Sequence, residues 1–536
     1  MIFFLISQSF NYPIIVDCSY IIAGEILIEQ DVTEISYHFN ALKRCKNSIT
    51  SLSFEEGSKI VKIDSFCFKE TSLKSVDLSK CTALKELNSS VFSECKLLKT
   101  VKLPPNIERI GSNCFYCNKN LASIDFPGSL VTLDQFAFYN CSLTTINFLP
   151  ESKLKIIGTH CFSYNHNLIS IDIPDSVVTL EHGAFSGCGL TTIKFSPNSK
   201  LETIGNGCFG NVINLTTIDI PDSVVTLGNS AFAFSGIKTI NISPNSKLET
   251  IGLLCFLHTN LSSIFIPKSV NSMPSGAFIE CQFIENITVD KENTNYKSDS
   301  TSVYSETDNS TLFRVFVSYS GEYIVPSYIT KISDYCFYYC VNITSIQTNN
   351  DITSIGDQTF CNCMSLTKIT IPPRINAIGY QAFYNCKSLT KITIPSKINN
   401  IGSQAFYNCT NLNKIKFLSN TNTITIHGIE NELNIYNIYI PGNFNTSSTS
   451  LSKIPKGSHL YITKDTILSE SCKKFFGNKS VHVHCYNIFN ISHQTTKDVV
   501  DHIAISISYI HESKDDRVYY QTKCFHLVSL IHSIIT

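Results

Sequence analysis

Apolar and polar positions along this chain follow one short sentence, repeated. In Leu215-x-x-Ile218-x-Ile220 the last two apolar residues alternate with polar ones, which predicts a half-buried strand. The same triplet recurs at Leu121/Ile124/Phe126, Leu168/Ile171/Ile173, Leu366/Ile369/Ile371 and Leu389/Ile392/Ile394. Pro221 ends the strand because it cannot donate to a ladder, and Asp222-Ser223 supplies turn chemistry. Val225 and Leu227 start a second extended segment, often closed by glycine, as at Gly205, Gly356, Gly379 and Gly402. Ala231-Phe232 then turns a phenylalanine inward. One such unit cannot cover its own apolar face, so the pattern demands stacking.

The phenylalanine sets the period. It falls at Phe68, Phe92, Phe115, Phe138, Phe162, Phe185, Phe209, Phe232, Phe256 and Phe278, in steps of 22 to 24. After a gap of 59 it resumes at Phe337, Phe360, Phe383 and Phe406, in steps of 23. A period of 20–29 with L-x-x-L-x-L spacing is the leucine-rich-repeat signature. The fold expected is a repeat solenoid, mainly β: a right-handed superhelix of short parallel strands with a cap at each end. About sixteen turns at ~4.8 Å each give a length of roughly 75 Å.

Residues 1–50 repeat poorly and are expected to cap the first turn, with 1–9 a possible short signal. Residues 51–289 form a first block of repeats and 326–420 a second. Between them, 290–325 accounts for the long gap and reads as a projecting hairpin, Ser302–Tyr304 against Leu312–Phe316. The insertion is expected to serve, with the strand face, as a docking surface, so removing 291–323 should leave the fold intact and weaken partner binding. Residues 421–536 are degenerate repeats and a C-terminal cap, with a short helix expected from Ser469 to Gly477.

The outward strand positions are polar in every turn. Ser123, Thr145, Ser170, Thr192, Thr217 and Thr239 precede the central Ile, and Asp125, Asn147, Asp172, Lys194, Asp219 and Asn241 follow it. Asp172, Lys194 and Asp219 should alternate in sign along the stack. With Thr370, Thr393 and Lys416 of the second block, the second row is the candidate binding face.

Charge and cysteine content narrow the chemistry. Lys plus Arg is 42 against 43 for Asp plus Glu, which implies no basic stripe, and hence neither nucleic acid nor an anionic membrane as partner. No apolar run is long enough to span a bilayer. Of 22 cysteines, Cys67, Cys114, Cys161, Cys208, Cys255 and Cys336 precede the anchor and read as small packing residues. Cys95, Cys141, Cys188, Cys281, Cys340, Cys363, Cys386 and Cys409 lie three after it and are expected to be reduced thiols. Cys114-x-x-Cys117, Cys361-x-Cys363 and His482-Val-His484-Cys485 have ligand-like spacing but no complete set, so no metal or cofactor is expected. Asn88, Asn214, Asn260, Asn309, Asn342 and Asn445 head glycosylation sequons, usable only if the chain is secreted. No catalytic motif appears, and polar residues recur rather than converge.

At "LTTIDIPDSVVTLGNSAF", "LTKITIPSKINNIGSQAFYNC" and the insertion followed by "EYIVPSYITKISDYCF", the chain resembles the BspA-like leucine-rich-repeat surface antigens over roughly residues 45 to 480. That resemblance implies a non-catalytic, adhesin-like protein at a cell surface or secreted. Its partners would be proteins, among them host extracellular-matrix or cell-surface components. An intracellular scaffold and a solenoid carbohydrate-active enzyme are the rival readings.

Overall fold

The computed structural model describes residues 13–38, 42, 44–305 and 310–418, and beyond them the backbone of five short strands. The expectations for residues 1–9, Asn309, Asn445 and the helix at Ser469–Gly477 fall outside the described residues.

The chain is a parallel β-solenoid of about 17 turns, with almost no helix among the described residues. Each turn has three sides. The first is the strand of the Leu-x-x-Ile-x-Ile pattern, as in Ser170–Ile173, which pairs Ile171 with Ile193 and Asp172 with Lys194 in parallel register. The second is the short Val/Thr/Leu segment, which builds an eight-stranded parallel ladder from Glu86–Leu87 to Thr250–Ile251. The third is the arc around the phenylalanine.

The arc is a pair of left-handed corners. Residues two before and two after every anchor but Phe278 have positive φ, as at Asn113 and Cys117, or Gln381 and Asn385; Phe278 ends a short 3-10 helix and keeps only the second corner, at Glu280. Such a conformation costs a non-glycine residue about 1–2 kcal/mol. Stacking offsets it, because each corner and the anchor between them send an N–H to the next turn. Asn113, Phe115 and Cys117 bond the carbonyls of Gln135, Ala137 and Tyr139 at 2.8–3.0 Å. The glycine after the second side answers a different need. A Cβ at Gly379 would meet the Gly356 carbonyl oxygen of the adjacent turn at 2.5 Å.

The anchors are all fully buried and form two columns. From Phe68 to Phe278 neighbouring rings stack at 5.0–5.8 Å. From Phe337 to Phe406 they lie 5.0–5.4 Å apart. A cysteine three after the anchor completes eight of the fourteen turns. Its thiol donates to the carbonyl of the preceding anchor, as Cys141 does to Phe115 (3.1 Å) and Cys409 to Phe383 (3.0 Å). In two of the turns that lack this cysteine, Asn118 and Asn165 supply the donor instead. Burial pushes the Cys141 and Cys188 thiols up to about 12, so these two stay protonated and inert. Seventeen described cysteines are free.

The insertion departs from expectation. Its hairpin exists, with Ser302–Ser305 antiparallel to Thr311–Val315. It does not project. The strand Thr311–Val315 also pairs in parallel with Lys331–Ile332, inside the second ladder. Leu312 and Val315 pack into the core that follows, while Phe313, Phe316 and Val317 pack into the core that precedes. The strand is a wall buried on both faces, so removing it would open both cores.

Arg314 shows how the wall replaces a turn. Its side chain is 0% exposed. In an ordinary turn, the arc carbonyls one before and one after the anchor accept N–H groups from the turn below. For the Phe337 arc, the Val315 N–H reaches Cys336 (2.8 Å), and the Arg314 guanidinium reaches Tyr338 (3.3 Å). It also reaches the Tyr335 carbonyl at 2.7 Å. One arginine stands in for the peptide donors of an arc that the insertion lacks. Its Nε finds no acceptor.

At the N-terminal end, Ile14–Ile15 and Glu25–Ile28 already join the two ladders, and a Cys18–Cys45 disulfide ties this irregular turn together. Nothing in the repeat spacing marks that bond.

Candidate binding face

The strand side of the solenoid carries every candidate residue, and all nine are exposed: Asp125, Asn147, Asp172, Lys194, Asp219, Asn241, Thr370, Thr393 and Lys416. Strand alternation puts them outside, because the Ile on either side must face the core.

The first-block residues meet in twos rather than in one alternating line. Asn147 donates its amide to Asp125, and Asn241 does the same to Asp219, both at 2.6 Å. Lys194 approaches Asp172 at 3.9 Å, and Lys102 bonds Asp77 at 2.8 Å. Asp219 is thus met by Asn241 rather than by Lys194. The strand ladder is cut into matching segments, Ser123–Phe126 with Thr145–Phe148 and Ser170–Ile173 with Thr192–Phe195. Such exposed pairs add at most about 1 kcal/mol each. They leave a surface of paired polar groups on which Asp77 and Asp172 meet a lysine while Asp125 and Asp219 keep their charge.

Thr370, Thr393 and Lys416 lie apart from these pairs, in the second block, where Thr393 registers with Lys416. Beside them stand Lys368, Lys391 and Lys414 at the position that Ser or Thr occupies in the first block. Between Gln358 and Leu418 there are seven Lys and Arg and no Asp or Glu. A balanced total charge therefore hides a local excess, and the expectation of no basic stripe does not hold for this block.

Nothing on the described surface gathers catalytic groups. The best-formed hollows are open depressions, one edged by Lys46, Glu70 and Glu94, the other by Asn229, Thr250 and Tyr296. Every carboxylate with a displaced pKa is displaced downward. Hydrogen bonds from Lys62 and Lys46 hold Asp64 and Glu70 low. At Asp77 burial pulls upward, and the bonds from Lys102 and Ser79 outweigh it. A general acid working near neutrality needs the opposite shift. Among the described residues, no His, Cys, Asp and Glu cluster fits a metal, and no helix is long and apolar enough to cross a membrane.

This architecture has relatives. The sequence matches the BspA type leucine rich repeat region (6 copies) over residues 33–168, 85–200, 195–300 and 330–453. The chain belongs to the BspA-type leucine-rich repeat family. No curated protein matches it significantly. Among solved structures, the pneumococcal vaccine antigen PcpA superposes with a TM-score of 0.56 at 23% identity, over 68% of this chain and 88% of PcpA. A leucine rich cell surface protein from Faecalibacterium prausnitzii A2-165 covers 63% of this chain and 84% of its own, at 23% identity and a TM-score of 0.45. The likeness to PcpA shows a shared fold. The BspA-type repeat explains why the polar residues recur along the face instead of converging.

Proposed function

We propose that this BspA-type chain is a non-catalytic binding protein, displayed on a cell surface or secreted, that makes adhesin-like contacts with proteins of other cells or their matrix. The observation that carries the reading is the strand face of the first block. It is periodic and exposed, and its polar groups are paired, Asp125 and Asp219 with the amides of Asn147 and Asn241 and Asp172 with the ammonium of Lys194, which leaves a row of carboxylates held in fixed positions for a partner's donors. PcpA, whose fold it shares, is described as a vaccine antigen. The exposed Cys18–Cys45 bond suits an oxidising compartment. The rival reading, an intracellular scaffold, draws on the free thiols, and their burial accounts for those equally well.

Two measurements test it. Surface labelling of intact cells should tag the protein, and its exposed sequons at Asn214, Asn260 and Asn342 should carry glycan mass if it is exported through a glycosylating pathway. A chain with Asp125→Ala, Asp172→Ala and Asp219→Ala should keep its circular dichroism and lose adhesion to host-cell layers. Unlabelled protein on intact cells would reject the location. Undiminished adhesion by the triple variant would reject the face.

A further inference from the structure

We propose that the arc side of the second block is a docking site for an arginine-bearing segment of a partner protein, with the guanidinium held by Asp334 and Asp357 beside the rings of Tyr335 and Tyr380. The site goes beyond the reading of the strand face and does not depend on it, because it lies on another side of the solenoid and shares no residue with that face.

The charge here exceeds what the fold uses. Three residues before an anchor, a side-chain oxygen can accept the N–H of the next turn. In the first block amides do this: Asn206 accepts from the Asn229 N–H, and Asn229 from that of Leu253, both at 2.8 Å. In the second block Asp334 accepts from the Asp357 N–H at 2.8 Å, and Asp357 from that of Tyr380 at 2.7 Å. An asparagine would make the same bonds, so neither negative charge is needed for them. Both carboxylates are exposed, and among the described residues no Lys or Arg pairs with either. They issue from adjacent turns about 4.8 Å apart, where like charges repel. A cation placed between them would turn that repulsion into attraction.

The surroundings are aromatic. Ile279, Tyr338 and Cys361 form a buried cluster outside the Phe column, and Leu254, Tyr335, Tyr339 and Tyr384 pack against it. Tyr380, next in line after Asp357, is 43% exposed. Burial, and then the charges of Asp334 and Asp357, push the Tyr335 phenol up, so both carboxylates act at that ring. Glu280 adds a third carboxylate at the edge of the patch, where it meets His258 at 2.9 Å. From the Phe256 arc to the Phe406 arc, no Lys or Arg stands two or three before an anchor, or one or two after it. Arg314 lies beneath, fully buried and bonded to the Tyr335 and Tyr338 carbonyls. Three carboxylates thus stand over one buried guanidinium.

These features select the occupant. Carboxylates call for N–H donors, and tyrosine faces attract cations. A guanidinium answers both, being forked, planar and weakly hydrated, whereas an ammonium is a compact charge that holds its water. A quaternary ammonium has no N–H to give. The apolar bed runs on past the two carboxylates, which suits the aliphatic stem and neighbours of an arginine in a peptide. Nucleic-acid phosphates would be repelled.

The experiment uses the full chain and a fluorescent hexa-arginine peptide as the probe, with hexa-lysine, tetramethylammonium and calcium as competitors. Asp334→Asn with Asp357→Asn keeps both acceptor oxygens, so its melting temperature should hold or rise slightly. Its affinity for hexa-arginine should fall at least about tenfold. Tyr380→Leu should weaken binding about two- to fivefold, and Tyr380→Phe should not. Asp175→Asn with Asp222→Asn removes the same charge from first-block turns and should leave affinity unchanged. Equal weakening by the two double variants, or no binding by the wild type near physiological salt, would overturn the proposal. Equal competition by hexa-lysine would overturn the choice of arginine, and equal competition by tetramethylammonium or calcium the choice of a peptide. If Asp334→Asn with Asp357→Asn melts far lower, the exposed Tyr380 decides: equal affinity in its Leu and Phe variants rejects the site.

Discussion

Two blocks of one solenoid use the same turn and pair their surfaces by opposite rules. From Phe115 to Phe256 the repeat steps alternate between 23 and 24 residues, so each turn faces a neighbour of different sequence. The outcome is mixed pairs: Asp125 with Asn147, Asp172 with Lys194, Asp219 with Asn241. From Phe337 to Phe406 every step is 23, and along several rows like stacks on like, although Thr393 still faces Lys416. Asn408 bonds Asn385 and Asn385 bonds Asn362, Gln381 bonds Gln404, and Tyr384 lies on Tyr407. A strict period suits side chains that complement themselves. An amide is donor at one end and acceptor at the other. Lysine is not self-complementary, and the same strictness sets Lys391 opposite Lys414. Period length thus decides which side-chain chemistry a solenoid face can hold at no cost.

The wall between the blocks is the sharpest way to break the comparison. Deleting 291–323 should unfold the turns nearest Phe278 and Phe337, because residues of that segment close both cores. Arg314→Ala isolates the hydrogen bonding. It strips donors from the Tyr335 and Tyr338 carbonyls, at about 1–3 kcal/mol for each buried acceptor, and adds a cavity. Urea unfolding should show a loss of several kcal/mol, on the order of 2–6. An unchanged midpoint would mean that the guanidinium replaces no arc donors.

Next in size are the anchors. Phe209→Ala and Phe383→Ala each empty a fully buried site and should cost about 3–5 kcal/mol. Since the wall divides the cores, each loss should stay in its own block, as in a one-dimensional stack of neighbour contacts. Hydrogen exchange would read this directly. If Phe383→Ala loosens the turns around Phe209 as much as its own, the blocks form one cooperative unit.

These expectations show what the sequence made legible. The period of the phenylalanines located the core, the strands and the outward rows, because a 23-residue step leaves one way to stack. The seating of the insertion was not read. Its run Leu312-Phe-Arg-Val-Phe-Val317 alternates with nothing polar except Arg314, and a strand apolar on both sides is one buried on both faces. That signal was available. The lysine row was hidden by averaging charge over the whole chain. The Cys18–Cys45 bond was hidden by distance, since its 27-residue separation matches no repeat step. The paired carboxylates depended on the breaks in the strand ladder, which sequence spacing does not reveal.

A one-atom exchange separates the two pairing rules with a smaller effect. Asp219→Asn should change stability by less than about 0.5 kcal/mol, since the Asn241 amide still finds an oxygen there. Asn385→Asp should cost about 1–2 kcal/mol, because an acceptor then faces the Asn362 oxygen. Equal effects at the two sites would show that Asn362 can turn its amide and that the homotypic ladder has no fixed direction.

The smallest effect is a pH dependence confined to the first block. His160 occupies the left-handed corner before Phe162, where Gln381 stands before Phe383 in the second block. Phe136 stacks on its ring at 5.3 Å, and His182 lies against it at 4.8 Å. The Ser163 hydroxyl gives its hydrogen to the Gly183 carbonyl (2.5 Å), so it can only accept from His160, whose Nδ1 therefore carries the proton (2.9 Å). Burial, and then the neighbouring His182, hold the His160 pKa below the ordinary histidine value. The unfolded chain therefore takes up its proton at a higher pH than the folded one. Stability is complete at neutral pH and is lost as pH falls through the ordinary histidine range, down to the lowered folded value. Between pH 7 and pH 5, amide protection, measured against the exchange rate of the unfolded chain at the same pH, should fall in the turns around His160 and stay level in the second block, which has no histidine between Pro326 and Leu418. His160→Gln, copying the second block, should flatten that dependence. A slope that survives the substitution would move the proton to His182.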